Sequence, residues 1–318
     1  TIPEINISVS SKDSLTYQVA YNNYKEGDYL RSQKGFQSYL SNFGQTAIFL
    51  VSSTFYLAES YWNTQDTMNA IKEYKEIVEL GNTEYLERSL VILSRYAYDI
   101  KDYDFSNIYY QKLETMASNN SLKREAIIRL MFGFEEGNVD LAAKYSEMVL
   151  KMDKADNRLL ARAKIIIARS DFDSGNYTRS AALCDEIVDL TKNNDGSEAL
   201  YMKAYFKYLE EDYGETEELI FLMAEQYSSN YWIAKGFILL SDVYLKSNNS
   251  YQAKAILESV IENHDSEDIL NLAREKWEKI IKKDSDEIEV LDLEAIIIIT
   301  DTLDYKINYD DLEIDIYD

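Results

Sequence analysis

Residues 20–40 read AYNNYKEGDYLRSQKGFQSYL, and this stretch decides the fold. It consists of an apolar helical segment, a polar turn at residues 25–28 (KEGD) and a second apolar helical segment that starts at Tyr29. Small Ser32 and large Phe36 follow Tyr29 at helical spacing, so they lie on one face of the second segment. The stretch therefore predicts two helices joined by a tight turn.

The same unit recurs along the chain. We call the residue after each turn the anchor residue and align the repeats on it. The seven anchor residues are Tyr29, Thr67, Tyr103, Val139, Tyr177, Tyr213 and Ser250, at intervals of 36 to 38 residues. A single helix pair cannot bury both of its faces, whereas stacked neighbours can. The period therefore predicts a stack of seven helix pairs, each with a first and a second helix.

Three aligned positions show how the helices of a pair meet. The residue three after the anchor is always small: Ser32, Ala70, Ser106, Ala142, Ser180, Thr216 and Ala253. The residue nine before it is small in six repeats out of seven: Ala20, Ala58, Ser94, Ala168, Ala204 and Ser241. The fourth repeat has Leu130 at this position. The residue ten after it is always apolar: Tyr39, Ile77, Leu113, Val149, Ile187, Met223 and Val260. Small residues on both helices let the backbones approach closely while large residues fill the flanking space.

Small residues recur at fixed offsets from the anchor, and an aromatic residue lies five residues before it in six repeats. In this pattern the chain resembles the tetratricopeptide repeat family over about residues 15–264. It departs from the family in its longer period, in the absence of the usual proline, and in weaker fourth and sixth units. The resemblance implies an all-α, right-handed superhelical solenoid whose first helices line a concave groove. It also implies that this groove holds segments of other proteins.

The first two units carry a narrower resemblance. Their pattern A-x3-YKxGDY followed by F-x2-YL-x-NF is similar to repeats of two bacterial envelope families, the outer-membrane assembly lipoproteins and the Tol-Pal coordinator proteins. This similarity implies a bacterial setting, in the periplasm or at the outer membrane. Because the chain starts at Thr1 without a methionine or a signal sequence, we interpret it as a processed protein or an excised fragment. Without a targeting segment, the sequence itself does not assign a compartment.

The composition and the flanking segments complete the predicted organisation. One proline and ten glycines in 318 residues favour an all-helical chain, because proline breaks helices and β-rich folds use many turns. We predict an N-terminal arm over 1–14, the repeat array over 15–264 and a capping helix over 265–284. Residues 285–318 are acidic and rich in β-branched residues, and they predict an extended or β-like tail that packs on the array, pairs with another chain or continues into further sequence.

The net charge of −24 limits the kinds of partner that the chain can bind. Nucleic acid and anionic membrane surfaces need a positive surface, so both are disfavoured as partners. A basic protein segment is compatible with this charge, although the charge also serves solubility. No apolar run approaches the length of a membrane span.

The sequence offers little chemistry for catalysis or metal binding. His264 is the only histidine and Cys184 the only cysteine, so the usual nitrogen and sulfur ligands of transition metals are too few. We interpret His264 as a surface residue and Cys184 as a buried, inert thiol. The acidic stretch at 171–176 lacks the ligand pattern of a calcium loop, and the acids of the matching turn in the third unit (Asp99, Asp102 and Asp104) are interpreted in the same way, as turn residues.

Four tail acids could meet a cation without any fixed geometry: Asp310, Asp311, Glu313 and Asp315. No phosphate loop, nucleotide fingerprint or other cofactor motif is present in the sequence. We therefore predict that the chain is not an enzyme and needs no cofactor. A hydrolase that uses two of the many carboxylates stays the second alternative.

The candidate binding residues are aromatic. Five residues before the anchor, six of seven repeats carry an aromatic side chain: Tyr24, Trp62, Tyr98, Phe134, Phe172 and Tyr208. They either pack within each repeat or form an aromatic groove for a peptide or a glycan. The favoured function is a non-catalytic scaffold that binds other proteins, some through basic segments. The alternative is a glycan- or nutrient-binding helical module with a tyrosine-rich groove.

Overall fold

A computed structural model describes residues 9–283, and all regular elements in this range are helices. They are α1 (Val9–Lys25), α2 (Tyr29–Phe43), α3 (Leu50–Asn63), α4 (Thr67–Leu80), α5 (Leu86–Asp99), α6 (Tyr103–Met116), α7 (Asn120–Phe134), α8 (Val139–Leu150), α9 (Asn157–Asp173), α10 (Tyr177–Leu190), α11 (Asn194–Leu209), α12 (Tyr213–Gln226), α13 (Asn230–Lys246), α14 (Ser250–Asn263) and α15 over residues 267–283. A short 3-10 helix, Gly44–Thr46, follows α2. The predicted tail 285–318 lies outside the described residues. So do residues 1–8 of the predicted arm, whereas α1 already begins at Val9.

The helices form two compact units, Thr1–Ser174 and Gly175–Asp318. In the first unit each helix packs against the next, from α1 to α9, and in the second unit the same holds from α10 to α14. Helix α15 adds Ile269, Ala273 and Ile280 to the apolar core that α13 and α14 build. The predicted all-α architecture of repeated helix pairs is confirmed.

The small residues that define the repeat are buried. All seven residues at the position three after the anchor are 0 or 1% exposed, and all seven at the position nine before it are 0% exposed. In the third pair the two positions touch, because the Ser106 hydroxyl donates to the Ser94 carbonyl oxygen at 3.2 Å. Between the first two pairs, the Ser60 hydroxyl donates to that of Ser32 at 2.9 Å. Small side chains are therefore required where neighbouring helices come closest.

The closest approach in the first pair involves Gly35 of α2 and Ala20 of α1. A Cβ atom added to Gly35 would lie 2.7 Å from the Ala20 Cβ and 3.1 Å from the Ala20 Cα. Real Cβ atoms do not come that close, and the obstacle is partly backbone, so one of the two helices would have to shift. Glycine is thus needed here for space.

We expect Gly35→Ala to lower the free energy of unfolding of the first unit by about 1–3 kcal/mol, the usual cost of overpacking a buried contact. Alanine has a better helix propensity than glycine by up to about 1 kcal/mol, so the sign itself tests the contact. The matched control is Gly214→Ala in α12, where an added Cβ meets nothing closer than 3.8 Å. Urea titrations followed by circular dichroism measure both, and a stabilised Gly35→Ala variant would contradict the contact.

The turns within the pairs share a backbone design that the sequence analysis overlooked. The residue before each anchor is Asp or Asn, and in six repeats its side chain accepts the backbone N–H three residues on: Asp28, Asp66, Asp102, Asn138, Asp212 and Asn249. The residue before that cap has a left-handed backbone in six repeats: Gly27, Gln65, Lys101, Gly175, Glu211 and Asn248. The cap satisfies an N–H group that the helix start leaves without a partner. Each turn therefore sets the start of the second helix.

Candidate interaction surface

The six aromatic residues predicted to line a groove are divided between the units. Five lie in the first unit, and Tyr208 lies in the second. Five of the six rings contact an aromatic ring at the start or middle of the second helix of their own pair, with centroid distances of 5.4 to 6.3 Å: Tyr24–Tyr29, Trp62–Tyr74, Tyr98–Tyr103, Phe134–Tyr145 and Tyr208–Tyr213. Phe172 is half-buried, and Trp62 is the most exposed at 42%. One part of each contacting ring thus holds its pair together, and the rest faces solvent.

Helix α1 carries a longer aromatic row than the prediction contained. Tyr17, Tyr21 and Tyr24 are half-buried and lie on one face of the helix. Their rings are nearly parallel, with centroids 5.8 Å apart between Tyr17 and Tyr21 and 6.4 Å apart between Tyr21 and Tyr24. Tyr56 of α3 packs against the latter two rings at 4.8 and 4.9 Å. We call these three α1 residues the first tyrosine row.

Helix α11 repeats this row in the second unit. Its residues 201–213 follow the same pattern as residues 17–29, Y-x2-A-Y-x2-Y-x3-D-Y. Tyr201, Tyr205 and Tyr208 are half-buried, with centroids 6.4 Å apart for the first two and 6.2 Å apart for the last two. Trp232 packs against Tyr201 at 5.3 Å, as Phe49 packs against Tyr17 at 4.3 Å in the first unit. These three α11 residues are the second tyrosine row.

Tyr21 and Tyr205 are the central residues of the two rows and lie eight residues before their anchor residues. At this aligned position the other first helices carry different residues: Glu59, Arg95, Met131, Arg169 and Asp242. The four charged ones pair with a neighbouring helix. Glu59 accepts from Arg88 of α5 at 2.6 Å, and Arg95 binds Glu125 of α7 through two bonds of 2.7 and 2.6 Å.

The same position is ionic further along the chain. The Arg169 guanidinium donates to Glu135 at 2.8 Å, and Lys276 of α15 donates to Asp242 at 2.6 Å. Hydrogen bonds from Arg95 hold the pKa of Glu125 below its usual value. This position therefore joins neighbouring first helices by ion pairs in four repeats, and in the first repeat by the contact of the Tyr21 ring with Tyr56 of α3.

Both tyrosine rows already hold a cation. The Lys25 ammonium lies 5.0 Å from the centre of the Tyr21 ring. The Lys235 ammonium lies 4.9, 5.1 and 6.0 Å from the rings of Trp232, Tyr231 and Tyr201. Cations are attracted to the faces of aromatic rings at such distances. The faces of both rows are therefore accessible to positively charged side chains.

The repeat can now be identified from its own geometry. Helix pairs recur every 36 to 38 residues, a tight turn joins the two helices of each pair, and small residues are buried where helices meet. Tetratricopeptide repeats are built in this way. The chain has the tetratricopeptide-repeat fold.

Comparison with known proteins gives the following. No protein-family model matches the chain, and no curated protein matches it. Among solved structures, it is similar to a tetratricopeptide repeat protein from Parabacteroides merdae, at 11% identity over 82% of this chain and 98% of that chain, with a TM-score of 0.39. It is also similar to the C-terminal part of a TPR repeat-containing protein from Cytophaga hutchinsonii, at 11% identity over 80% of this chain and 98% of that chain, with a TM-score of 0.46. A third similar structure is the TPR2AB domain of yeast Sti1 in its pHSP90 complex, at 12% identity over 87% and 99%, with a TM-score of 0.35. Identities this low concern the fold alone.

The described part of the chain offers no assembled metal site. Within residues 9–283, no three His, Cys, Asp or Glu side chains lie close enough together to hold an ion. The stretch 171–176 is the end of α9 and the following turn, where Gly175 has a φ of +79°. Asp102 caps α6, and the tail acids lie outside the described residues. None of the described helices has both the length and the apolar character that crossing a membrane requires.

The two residues with reactive side chains have structural surroundings. Cys184 is fully buried in α10, and burial together with nearby Glu198 and Asp185 raises the pKa of its thiol to about 12. A thiol with such a pKa is a poor nucleophile. His264 ends α14 and is half-buried instead of fully exposed. Its Nδ1 accepts the Ser266 backbone N–H at 3.0 Å, which fixes the link to α15.

Proposed function

We propose that this chain is a non-catalytic scaffold that binds extended, basic segments of partner proteins at each of its two tyrosine rows. The observation that supports the proposal is that one motif recurs in both units, with similar ring spacing. In each unit a lysine of the chain itself, Lys25 or Lys235, lies over a ring of the row. Half-exposed tyrosines offer a large contact area at a small cost in side-chain entropy. The net charge of −24 also attracts basic segments.

The spacing of the rings favours an extended segment in particular. Side chains on one face of an extended chain recur every second residue, about 6.6 Å apart. The rings of the two rows lie 5.8 to 6.4 Å apart. Basic side chains at every second position of a partner segment can therefore contact successive rings.

The remaining parts of the proposal extend from these rows. The solvent-facing parts of Trp62, Tyr98, Phe134 and Phe172 would continue the aromatic groove along the first helices. Because the helices already fix the rings in place, binding orders few protein side chains, which limits its entropy cost. The resemblance of the first two repeats extends the proposal to a bacterial cell envelope, in the periplasm or at the outer membrane.

We expect Tyr21→Leu and Tyr205→Leu each to weaken the binding of a fluorescein-labelled peptide in which arginine alternates with glycine. The expected effect is about two- to fivefold for each row, the value of one exposed cation–π contact. Tyr21→Phe and Tyr205→Phe keep the ring and should keep the affinity. Fluorescence anisotropy of the full chain at constant salt measures all variants.

The matched control is Tyr251→Leu, because Tyr251 is 79% exposed on a second helix and belongs to neither row. An equal loss in this control would show that the peptide binds any exposed tyrosine ring, and no loss in any of the leucine variants would show that charge alone attracts it. Either result would contradict the proposed surface. Cellohexaose tests the glycan alternative in the same variants. If the sugar binds and the peptide does not, the glycan-binding function replaces the scaffold.

A further inference from the structure

Three aromatic rings of the second unit surround one lysine ammonium group. The Lys235 Nζ lies 4.9 Å from the centre of the Trp232 ring, 5.1 Å from that of Tyr231 and 6.0 Å from that of Tyr201. The rings of Tyr231 and Trp232 stand at 89° to each other, and the Tyr201 ring is inclined by 37° to that of Trp232. The three rings therefore enclose a corner instead of forming a flat stack, and we call them the aromatic cage.

The helices hold this cage in place. Tyr231, Trp232 and Lys235 lie on one face of α13, because they are three or four residues apart. Hydrogen bonds from Ser266 and from the Tyr231 hydroxyl hold the pKa of Asp268 below its usual value, so the Tyr231 ring is tied to α15. All three rings are half-buried. A cation that enters the cage therefore meets ring faces that are already positioned.

The aromatic rings alone hold the lysine. Among the described residues, Lys235 has no carboxylate partner and no hydrogen-bond acceptor, so its three N–H donors have no protein acceptor. Covering such donors with rings costs their hydrogen bonds to water. A quaternary ammonium group has no N–H donor and avoids this cost. A planar guanidinium group stacks on a single ring face, so it fits a corner of rings less well.

The first unit does not repeat the cage. The residues aligned with the two α13 rings and their lysine are Ile48, Phe49 and Ser52, at the same distances from their anchor residue. Phe49 lies nearly parallel to Tyr17, at 15°, and forms a flat stack with it. A second ring at an angle and a cation are both missing at this place. The described part of the chain therefore has one aromatic cage.

We propose that the aromatic cage is a binding site for a quaternary ammonium group, and that Lys235 occupies the cage until such a group displaces it. Ring faces attract quaternary ammonium cations, and the attraction grows as water is excluded. The net charge of −24 favours molecules with a net positive charge, such as choline or a peptide that contains trimethyllysine. The proposal does not depend on the scaffold function, because Tyr205→Leu tests the second tyrosine row and leaves the cage intact.

A choline titration of the full chain with nitrogen-labelled tryptophan tests the proposal. Choline chloride, exchanged for sodium chloride at constant ionic strength, should shift the indole resonance of Trp232 saturably, with Trp62 and Trp277 as internal references. Dimethylbutanol has the shape of choline without its charge and should bind at least about fivefold more weakly. Tyr231→Leu should weaken choline binding about two- to tenfold, whereas Tyr231→Phe keeps the ring and the affinity.

The lysine has a test of its own. Lys235→Ala should tighten choline binding about two- to fivefold, because the resident cation no longer competes for the rings. Lys246→Ala is the matched control, since it removes the same charge from an exposed position of α13. This control should leave the affinity within the error of the parent chain.

A short glycine peptide with one trimethyllysine, compared with its lysine counterpart, distinguishes the sources of the ligand. Tighter binding of choline assigns the cage to a free small molecule, and tighter binding of the methylated peptide assigns it to a partner segment. Three results would overturn the proposal. They are an unmoved Trp232 resonance with both ligands, equal binding of dimethylbutanol, and a Lys235→Ala variant that binds choline no better than Lys246→Ala.

Discussion

Raising the pH above 10 is expected to unfold the first unit before the second. Three tyrosines of the first unit are 0% exposed, Tyr39 in α2, Tyr74 in α4 and Tyr110 in α6. Burial raises the pKa of each phenol, to about 12 for Tyr110 and further for the other two. A hydrogen bond to Asp13 contributes for Tyr39, and the charges of Glu59 and Glu125 contribute for Tyr74 and Tyr110.

The sign follows from these raised pKa values. Below pH 10 the phenols are neutral in the folded and the unfolded chain, so the stability they contribute is fully present. Above pH 10 the unfolded chain ionises first, and stability is lost as the pH rises toward the folded-state pKa. Each fully buried tyrosine then costs about 1.4 kcal/mol per pH unit. Three of them remove about 4 kcal/mol per unit, or about 8 kcal/mol between pH 10 and pH 12. This loss lies within the typical stability of about 5–15 kcal/mol, so a unit of ordinary stability unfolds in this range.

Absorbance of ionised tyrosine and circular dichroism, recorded together against pH, measure this transition. Hydrogen exchange by segment separates the units. Among the described groups of the second unit, a pKa raised to about 12 belongs to the buried thiol of Cys184 and to the half-buried phenols of Tyr201 and Tyr244, neither of which is fully buried. Tyr110→Phe should move the transition of the first unit to higher pH, and Tyr251→Phe should leave it unchanged. Gradual ionisation without unfolding up to pH 12 would contradict the buried state of these phenols.

The pair architecture was readable from the sequence because it depends on local and periodic features. Ser32, Ala70 and Ser106 stay small at a fixed distance from a turn, and small side chains let the backbones of two helices approach closely. The N-terminal caps were equally readable, since Asp or Asn precedes every anchor residue.

The tyrosine rows could not be predicted from the aligned repeats. Tyr21 and Tyr205 occupy a position that is Glu59, Arg95 or Asp242 in other repeats, so alignment of the repeats shows no common residue there. That variety has a physical cause, because the position meets the neighbouring first helix and needs only a complementary partner. The row is nevertheless present in the sequence as a recurrence, because residues 201–213 follow the pattern of residues 17–29.

Ion pairs and unit boundaries depend on distances that the sequence does not contain. Glu59 pairs with Arg88, 29 residues later, only because α3 and α5 lie at the right separation and rotation. The boundary between Ser174 and Gly175 falls in a turn of the ordinary type, since Gly175 has the same φ of +79° as Gly27. Nothing local marks that turn as a boundary, so the predicted array over 15–264 had no internal division.

Replacing Glu59 by leucine is expected to cost the first unit about 3 kcal/mol of unfolding free energy. The Glu59 side chain is 6% exposed and accepts three hydrogen bonds from three helices. Tyr24 of α1 donates at 3.2 Å, Tyr74 of α4 at 2.7 Å and Arg88 of α5 at 2.6 Å. Leucine leaves the buried hydroxyl of Tyr74 and the half-buried hydroxyl of Tyr24 without this acceptor, and an unsatisfied buried group costs about 1–3 kcal/mol.

Two controls separate the hydroxyl groups from the ion pair. Arg88 is 61% exposed, so Arg88→Met should cost no more than about 1 kcal/mol. If the loss comes from the stranded hydroxyl, Tyr74→Phe in the Glu59→Leu background should recover part of it, because neither partner then needs the other. Urea titrations of these three variants and the parent chain, with hydrogen exchange in α3 to α5 as the local readout, separate the contribution of the hydroxyl groups from that of the ion pair. A Glu59→Leu variant no less stable than Arg88→Met would mean that this carboxylate does not join the first three repeats through its tyrosine partners.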